Sequence, residues 1–183
     1  MLSALAKKLI FARQFKMNDG EMQILSVHHI SMPTLSFINL TKDLHASEAE
    51  SPVAMYNSGI AAGSEMARQY KKRTGMGGLQ LINLVKDVHE MSGWGRWQIR
   101  KNEDHFTHVC DNSEYARAKK DSCDLLRGII AGQMRVAFNS PAIEAVEVEC
   151  ASNKGKFCRF VTMDSSKFDR KSDTVKAQLP HLL

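Results

Sequence analysis

No run of about 18 apolar residues occurs in the chain, which excludes a membrane-spanning helix. Aromatic residues are scarce, at 7%. The basic residues are dispersed, as Lys7, Lys8, Arg13 and Lys16, then Arg68, Lys71, Lys72 and Arg73, then Arg117, Lys119 and Lys120. A nucleic-acid binder concentrates its charge and often interleaves aromatics. The net charge of +5 therefore reads as solvated helix faces, and nucleic acid is not an expected partner. Common catalytic motifs are missing too. Gly75, Gly77 and Gly78 follow a helix and lack the strand-loop-helix context of a phosphate-cradling loop. There is no Gly-x-Ser-x-Gly elbow and no dinucleotide fingerprint, so a reductase acting alone would have no evident hydride source. No catalytic residue is assigned.

What is present suits one soluble globular domain: 183 residues, 43% of them hydrophobic and 25% charged. A chain of this length buries roughly 70% of its unfolded surface and needs no covalent staples. Its four cysteines, Cys110, Cys123, Cys150 and Cys158, are therefore informative. The apolar run Leu9–Ala12 is too short for a signal-peptide core, and Leu2, Leu5, Ala6 and Leu9 share one helical face as in a packed terminal helix. The chain reads as cytoplasmic, where thiols and metal ligands are commoner than disulfides.

Periodicity and turn residues predict the elements. Residues 3–14 form a helix, and residues 13–17 and 21–27 form a hairpin around Asp19-Gly20, a pair suited to a type I′ turn. A helix follows Pro33 to about residue 46, and a longer one spans Ser51–Arg73 with Pro52 in its first turn. Leu79–Met91 is an amphipathic helix stopped by Gly93; residues 94–100 and 105–110 are strands. Asn112 or Ser113 caps a long helix to about Phe138. Residues 143–150 and 157–163 make an antiparallel hairpin, and the last twenty residues are a surface helix or a loose tail. Gly59 and Gly63 in one helix, and Gly128 and Gly132 in another, are one turn apart and predict two small-residue seams that pack together. The order gives an α+β fold with helices on one face of an antiparallel sheet. We divide it into an N-terminal helix and hairpin (1–33), a main domain (34–163) and a C-terminal tail (164–183). An isolated hairpin needs a neighbour, which makes the N-terminal one a candidate homodimer contact.

Cys150 and Cys158 lie at the base of the last hairpin with seven residues between them, and Cys123 lies upstream. With Glu147 they would supply the four ligands that a closed, structural zinc site requires. Buried free thiols and redox use are the competing readings of the same residues. Strict strand alternation puts Glu147 and Cys150 on opposite faces, so this set requires a bulge or a strand end near Glu149; otherwise Glu149 or a water completes the site.

The stretches Cys123 to Gly132, Val146 to Cys150 and Gly155 to Phe160 resemble the 4-vinyl reductase domain family. Its members include archaeal hydrocarbon-binding proteins, a bacteriochlorophyll biosynthesis protein and the front domains of aromatic-sensing transcription activators. Its fold is shared with subunits of the transport protein particle. The resemblance covers most of residues 10–163, and residues 13–20 resemble the archaeal stand-alone members. It implies a zinc held by Cys123, Glu147, Cys150 and Cys158, leaving Cys110 as a packed strand thiol. It also implies an apolar cavity between helices and sheet for a hydrophobic or aromatic molecule. Tyr70, Met91, Trp94, Trp97 and Phe106 lie in or beside the relevant elements, with His105 and His108 as polar groups. Trp97, Phe106 and His108 are the chosen ligand-site residues, although core filling is the simpler role for each. His105 is expected to be solvated, and His45, His89 and His181 to lie on the surface. The function expected is a ligand-binding or sensing module with a structural zinc. The alternatives are an accessory factor or reductase in tetrapyrrole metabolism, and an interaction scaffold without a ligand.

Overall fold

The computed structural model describes residues 14–18, 21–29, 36, 39, 51–113, 123–152 and 155–183. Its strands form two antiparallel sheets. Strands β1 (Phe15–Asn18), β2 (Glu21–Ile24) and β3 (Val27–His29) make a meander in the order β1-β2-β3. Strands β4 (Arg96–Lys101), β5 (Phe106–Asp111), β6 (Ile143–Glu149) and β7 (Cys158–Asp164) make the main sheet in the order β4-β5-β7-β6. The helices are α1 (Ser51–Thr74), α2 (Gly78–Met91), α3 (Asp124–Phe138) and the short α4 (Asp173–Gln178). The fold class is the α+β arrangement that the element order implied. None of the described helices is long and apolar enough to cross a membrane.

Helices α1 and α3 meet backbone to backbone along the glycine seams. A Cβ added at Gly59 would lie 2.9 Å from Gly128 Cα, and one at Gly132 would lie 2.8 Å from Ser64 N. At Gly63 and Gly128 it would run into the carbonyls of Ile129 and Tyr56. No side chain other than hydrogen fits there, which is why glycine stands at four helical positions despite its cost. Helix α3 ends at Asn139, which adopts the left-handed conformation (φ 53°) and donates its N–H to the Arg135 carbonyl.

The helices cover the main sheet. Leu81, Val85 and Val88 of α2 and Leu126, Ile130 and Met134 of α3 share one core with Trp97, Cys110, Cys158 and Phe160. Phe106, His108 and Cys110 alternate along β5, and His108 and Cys110 are buried. Apolar burial of this kind stabilises by about 25 cal/mol per Å² and sets which face of each strand turns inward.

Four expectations require correction or completion. The strand read over residues 21–27 breaks at Leu25 and Ser26, both with positive φ (54° and 61°), so the hairpin becomes a three-stranded meander. Neither residue type advertises such a turn. One face of this meander packs within the chain, since Ile24 and Val27 enter the main core. Helix α3 starts after Cys123, which has non-helical angles (φ −89°, ψ 50°), and does not run continuously from residue 112. The C-terminal stretch is docked: Phe168, Val175 and Leu179 form a second core with Tyr56, Ala131, Ala145 and Val146. The helix read over residues 3–14 lies outside the described residues, whereas Ser36 and Asn39, of the helix read after Pro33, are helical.

Candidate functional site

Cys123 caps the N-terminus of α3, Glu147 and Cys150 come from the end of β6, and Cys158 opens β7. The required irregularity is present. The β6–β7 register runs Glu147↔Phe160 and then Glu149↔Arg159, a bulge that ejects Val148, 53% exposed, to solvent. With that extra residue, Glu147 and Cys150 reach the same side. Glu149 points away and pairs with Arg159 at 3.3 Å. The connection between β6 and β7 is held tight by Gly155, whose N–H donates to the Cys150 carbonyl (3.0 Å) and whose missing side chain leaves room for that carbonyl.

One ligand atom from each of Cys123, Glu147, Cys150 and Cys158 lies within 4.8 Å of the other three. The Sγ atoms of Cys123 and Cys158 are 3.8 Å apart, and those of Cys150 and Cys158 are 4.0 Å apart. A tetrahedron with Zn–S bonds of about 2.3 Å has S···S edges of about 3.8 Å. All four cysteines are free thiols. The Glu147 carboxylate accepts the Cys123 N–H on Oε2 (3.0 Å), whereas its buried Oε1 has no hydrogen-bond partner among the described residues. An orphaned carboxylate oxygen beside three thiols is what a cation ligand looks like. The donor set therefore fits a divalent metal.

The electrostatics agree. Burial raises the Glu147 carboxyl to about 7. Hydrogen bonds from the Cys123 and Cys158 thiols push Cys150 well below the usual thiol range, and the bonds to Cys150 and Cys158 push Cys123 above it. The three sulfurs share their thiol protons in hydrogen bonds. A divalent cation would replace those protons, so its uptake would release protons and weaken as the pH falls. Cys110 stands apart. It is buried, raised to about 12 by burial, and donates to the Trp94 carbonyl at 3.3 Å.

A narrow cavity of about 10 Å³ lies between helices and sheet, lined by Ile82, Lys86, His89, Trp97, Ile99, His108, Ile130 and Gln133. Of the three chosen ligand-site residues, Trp97 and His108 line it. Phe106 packs instead against Phe138, with ring centroids 5.0 Å apart. Trp97 Nε1 is buried without a hydrogen-bond partner among the described residues. His108 Nε2 shares a hydrogen bond with Thr162 Oγ1 (3.0 Å), and burial lowers its pKa to about 3. His89, expected on the surface, is 7% exposed, bonded through Nε2 to Gln133 (2.7 Å) and lowered to about 4 by burial. The missed signal was positional, because His89 continues the inward face of Leu81 and Val85 at four-residue steps. Gln133 was missed in the same way, four residues after Ile129. His105 is part-exposed and bonded to Asp104, and His45 lies outside the described residues.

Comparison with known proteins places the fold. No family model and no curated protein matches the sequence. Among solved structures, the chain is similar to the phenol-responsive sensory domain of the transcription activator PoxR bound to phenol, with a TM-score of 0.74 at 18% identity over 99% of this chain and 98% of that one. It is similar to a vinyl-4-reductase family protein from Methanocaldococcus jannaschii, with a TM-score of 0.51 at 19% identity over 74% of this chain and 83% of that one. It is also similar to a trafficking protein particle complex subunit 3 from Naegleria fowleri covalently bound to palmitic acid, with a TM-score of 0.54 at 9% identity over 72% and 92%. The fold is therefore the one that the sequence resemblance implied.

Proposed function

We propose that this chain is a small-molecule binding and sensing module that takes a hydrophobic or aromatic ligand between helices and sheet. In this reading a structural zinc sits on Cys123, Glu147, Cys150 and Cys158. The observation that carries the ligand half is the helix–sheet cavity. Its walls combine Ile82, Ile99, Ile130 and Trp97 with the polar groups of Lys86, His89, His108 and Gln133, and Trp97 Nε1 is a buried donor without a partner among the described residues. Apolar walls with few oriented polar groups suit such a ligand. The fold shared along its length with a phenol-responsive sensory domain supports the same reading. A volume of about 10 Å³ is that of a single water site, so a ring-sized ligand enters only as the lining side chains swing aside. Binding is then coupled to repacking of α2 against the sheet, as a sensor requires.

The zinc half rests on the convergence of four ligands, one carboxylate oxygen of which is orphaned. Three thiolates and a carboxylate close the coordination sphere, so the metal serves structure by tying the start of α3 to the β6–β7 hairpin. A reducing, cytoplasmic setting suits the free thiols. Homodimerisation through the N-terminal meander, where β1 leaves Met17 67% exposed, belongs to the same proposal. Light scattering at micromolar concentration tests it, and a monomer removes it.

The ligand reading is tested by titrating metal-loaded protein with phenol and related small aromatics, followed by calorimetry and tryptophan fluorescence. Saturable binding is expected, weakened about tenfold in Trp97→Phe, the equivalent of one hydrogen bond. Absence of saturable binding by the metal-loaded protein would leave the second reading, an interaction scaffold without a ligand, which the small cavity volume favours. The tetrapyrrole alternative draws support from the likeness in fold to a vinyl-4-reductase family protein.

A further inference from the structure

The outer edge of β6 is closed by side chains from three helices. Arg135 donates to the Ile143 carbonyl (2.7 Å), Arg127 Nη1 to the Ala145 carbonyl (3.1 Å), and the Ala145 N–H donates to Tyr56 Oη (3.1 Å). At Glu147 the partner is Gln178, the last residue of α4. The Glu147 N–H donates to Gln178 Oε1 and Gln178 Nε2 donates to the Glu147 carbonyl, both at 2.8 Å. The glutamine amide thus stands in for a neighbouring strand at one residue, which is the residue immediately before the bulge. The same residue is tied to the other half of the site, since Arg127 Nη1 donates to the Gln178 carbonyl (2.9 Å) while Arg127 Nη2 pairs with Asp124 (3.0 Å), next to Cys123.

Resting on the metal reading above, we propose that Gln178 is a positioning residue for the metal ligand Glu147. The two-point grip holds the Glu147 main chain at the bulge, which fixes where its carboxylate points. The C-terminal segment is thereby part of the metal site although it supplies no ligand. Linkage makes the effect reciprocal: metal held by Glu147 stabilises the docked C-terminal segment to the same degree that docking strengthens metal binding.

The test compares the full chain with Gln178→Met, which keeps the length of the side chain and removes both hydrogen bonds, and with Val175→Ala, which loosens the same segment but leaves the grip intact. Cobalt serves as the optical probe and zinc as the competitor. Gln178→Met is expected to bind metal roughly 10–100-fold more weakly, the usual effect of losing a partner of a ligand. Its cobalt spectrum is expected to shift as the carboxylate leaves the metal, whereas Val175→Ala keeps the wild-type spectrum. A second measurement needs no variant. Chelating the metal from the wild-type chain is expected to speed amide exchange in residues 173–183 and at Glu147. Metal bound equally by wild type and Gln178→Met, with exchange unchanged by chelation, overturns the inference and leaves the metal site standing. Wild-type protein that binds neither cobalt nor zinc overturns both.

Discussion

At the residue scale, the site depends on groups whose ordinary protonation is disturbed by burial. Cys158 lies between two other thiols, with its Sγ 3.8 Å from Cys123 and 4.0 Å from Cys150. Replacing it by serine removes one of the four candidate ligands. Cys158→Ser is expected to purify with well under one zinc per chain by elemental analysis, against about one for the wild type, and to unfold at lower denaturant. The buried histidines give a separate prediction. His108 and His89 are lowered from 6.5 to about 3 and about 4, by desolvation above all. Their stabilising contribution is complete above the unfolded value and is lost as the pH falls below it, because the unfolded chain takes up protons that the folded one refuses. In metal-free protein the unfolding free energy should fall by about 1.4 kcal/mol per pH unit for each histidine between roughly pH 6 and 4. His108→Gln should remove one of these contributions, measured as a shallower pH dependence in urea titrations; an unchanged slope would mean that His108 is not buried neutral.

At the element scale, the contact between α1 and α3 is decided by sterics against propensity. Alanine at Gly128 would gain about 1 kcal/mol of helix propensity. It would also drive a Cβ into the Tyr56 carbonyl, a backbone atom that cannot step aside. Overpacking of that kind costs about 1–3 kcal/mol or more, and here it also pushes apart two helices along their length. Gly128→Ala is therefore expected to lower stability by about 2 kcal/mol net, read from its denaturation midpoint. The meander holds the opposite case. Ser26 is exposed with φ 61°, a conformation that costs about 1 kcal/mol outside glycine. Ser26→Gly should recover about that amount. The glycine seams were legible in the sequence because a helical glycine pair has few other uses. The Leu25-Ser26 turn was not, because its residues carry no turn signal and the conformation is imposed by Ile24 and Val27 entering the core.

At the scale of the whole molecule, the candidate metal centre and the C-terminal segment meet on β6. The candidate centre joins α3 to the β6–β7 hairpin, and the C-terminal segment closes over the same strand through Phe168, Val175 and Leu179. Metal removal by a chelator is thus expected to lower the midpoint of thermal unfolding without abolishing the fold, since Cys123 and Cys158 sit in a main core most of whose members, among them Leu81, Val85, Leu126, Ile130 and Phe160, are not ligands. Collapse to an unfolded chain on chelation would contradict that picture. Spacing and residue chemistry marked Cys123, Glu147, Cys150 and Cys158 as one candidate set beside buried thiols and redox use, and the family resemblance favoured it; strand alternation made a bulge or strand end near Glu149 its condition, and the helical glycines paired two helices. Each of these rests on short-range geometry or on a residue type with one strong use. Which groups share the interior was another matter. His89 and Gln133 face the cavity while Phe106 turns to Phe138, and Gln178 reaches back across the chain to Glu147. Those outcomes depend on how distant segments pack, and long-range packing leaves almost no trace in the local pattern of a single sequence.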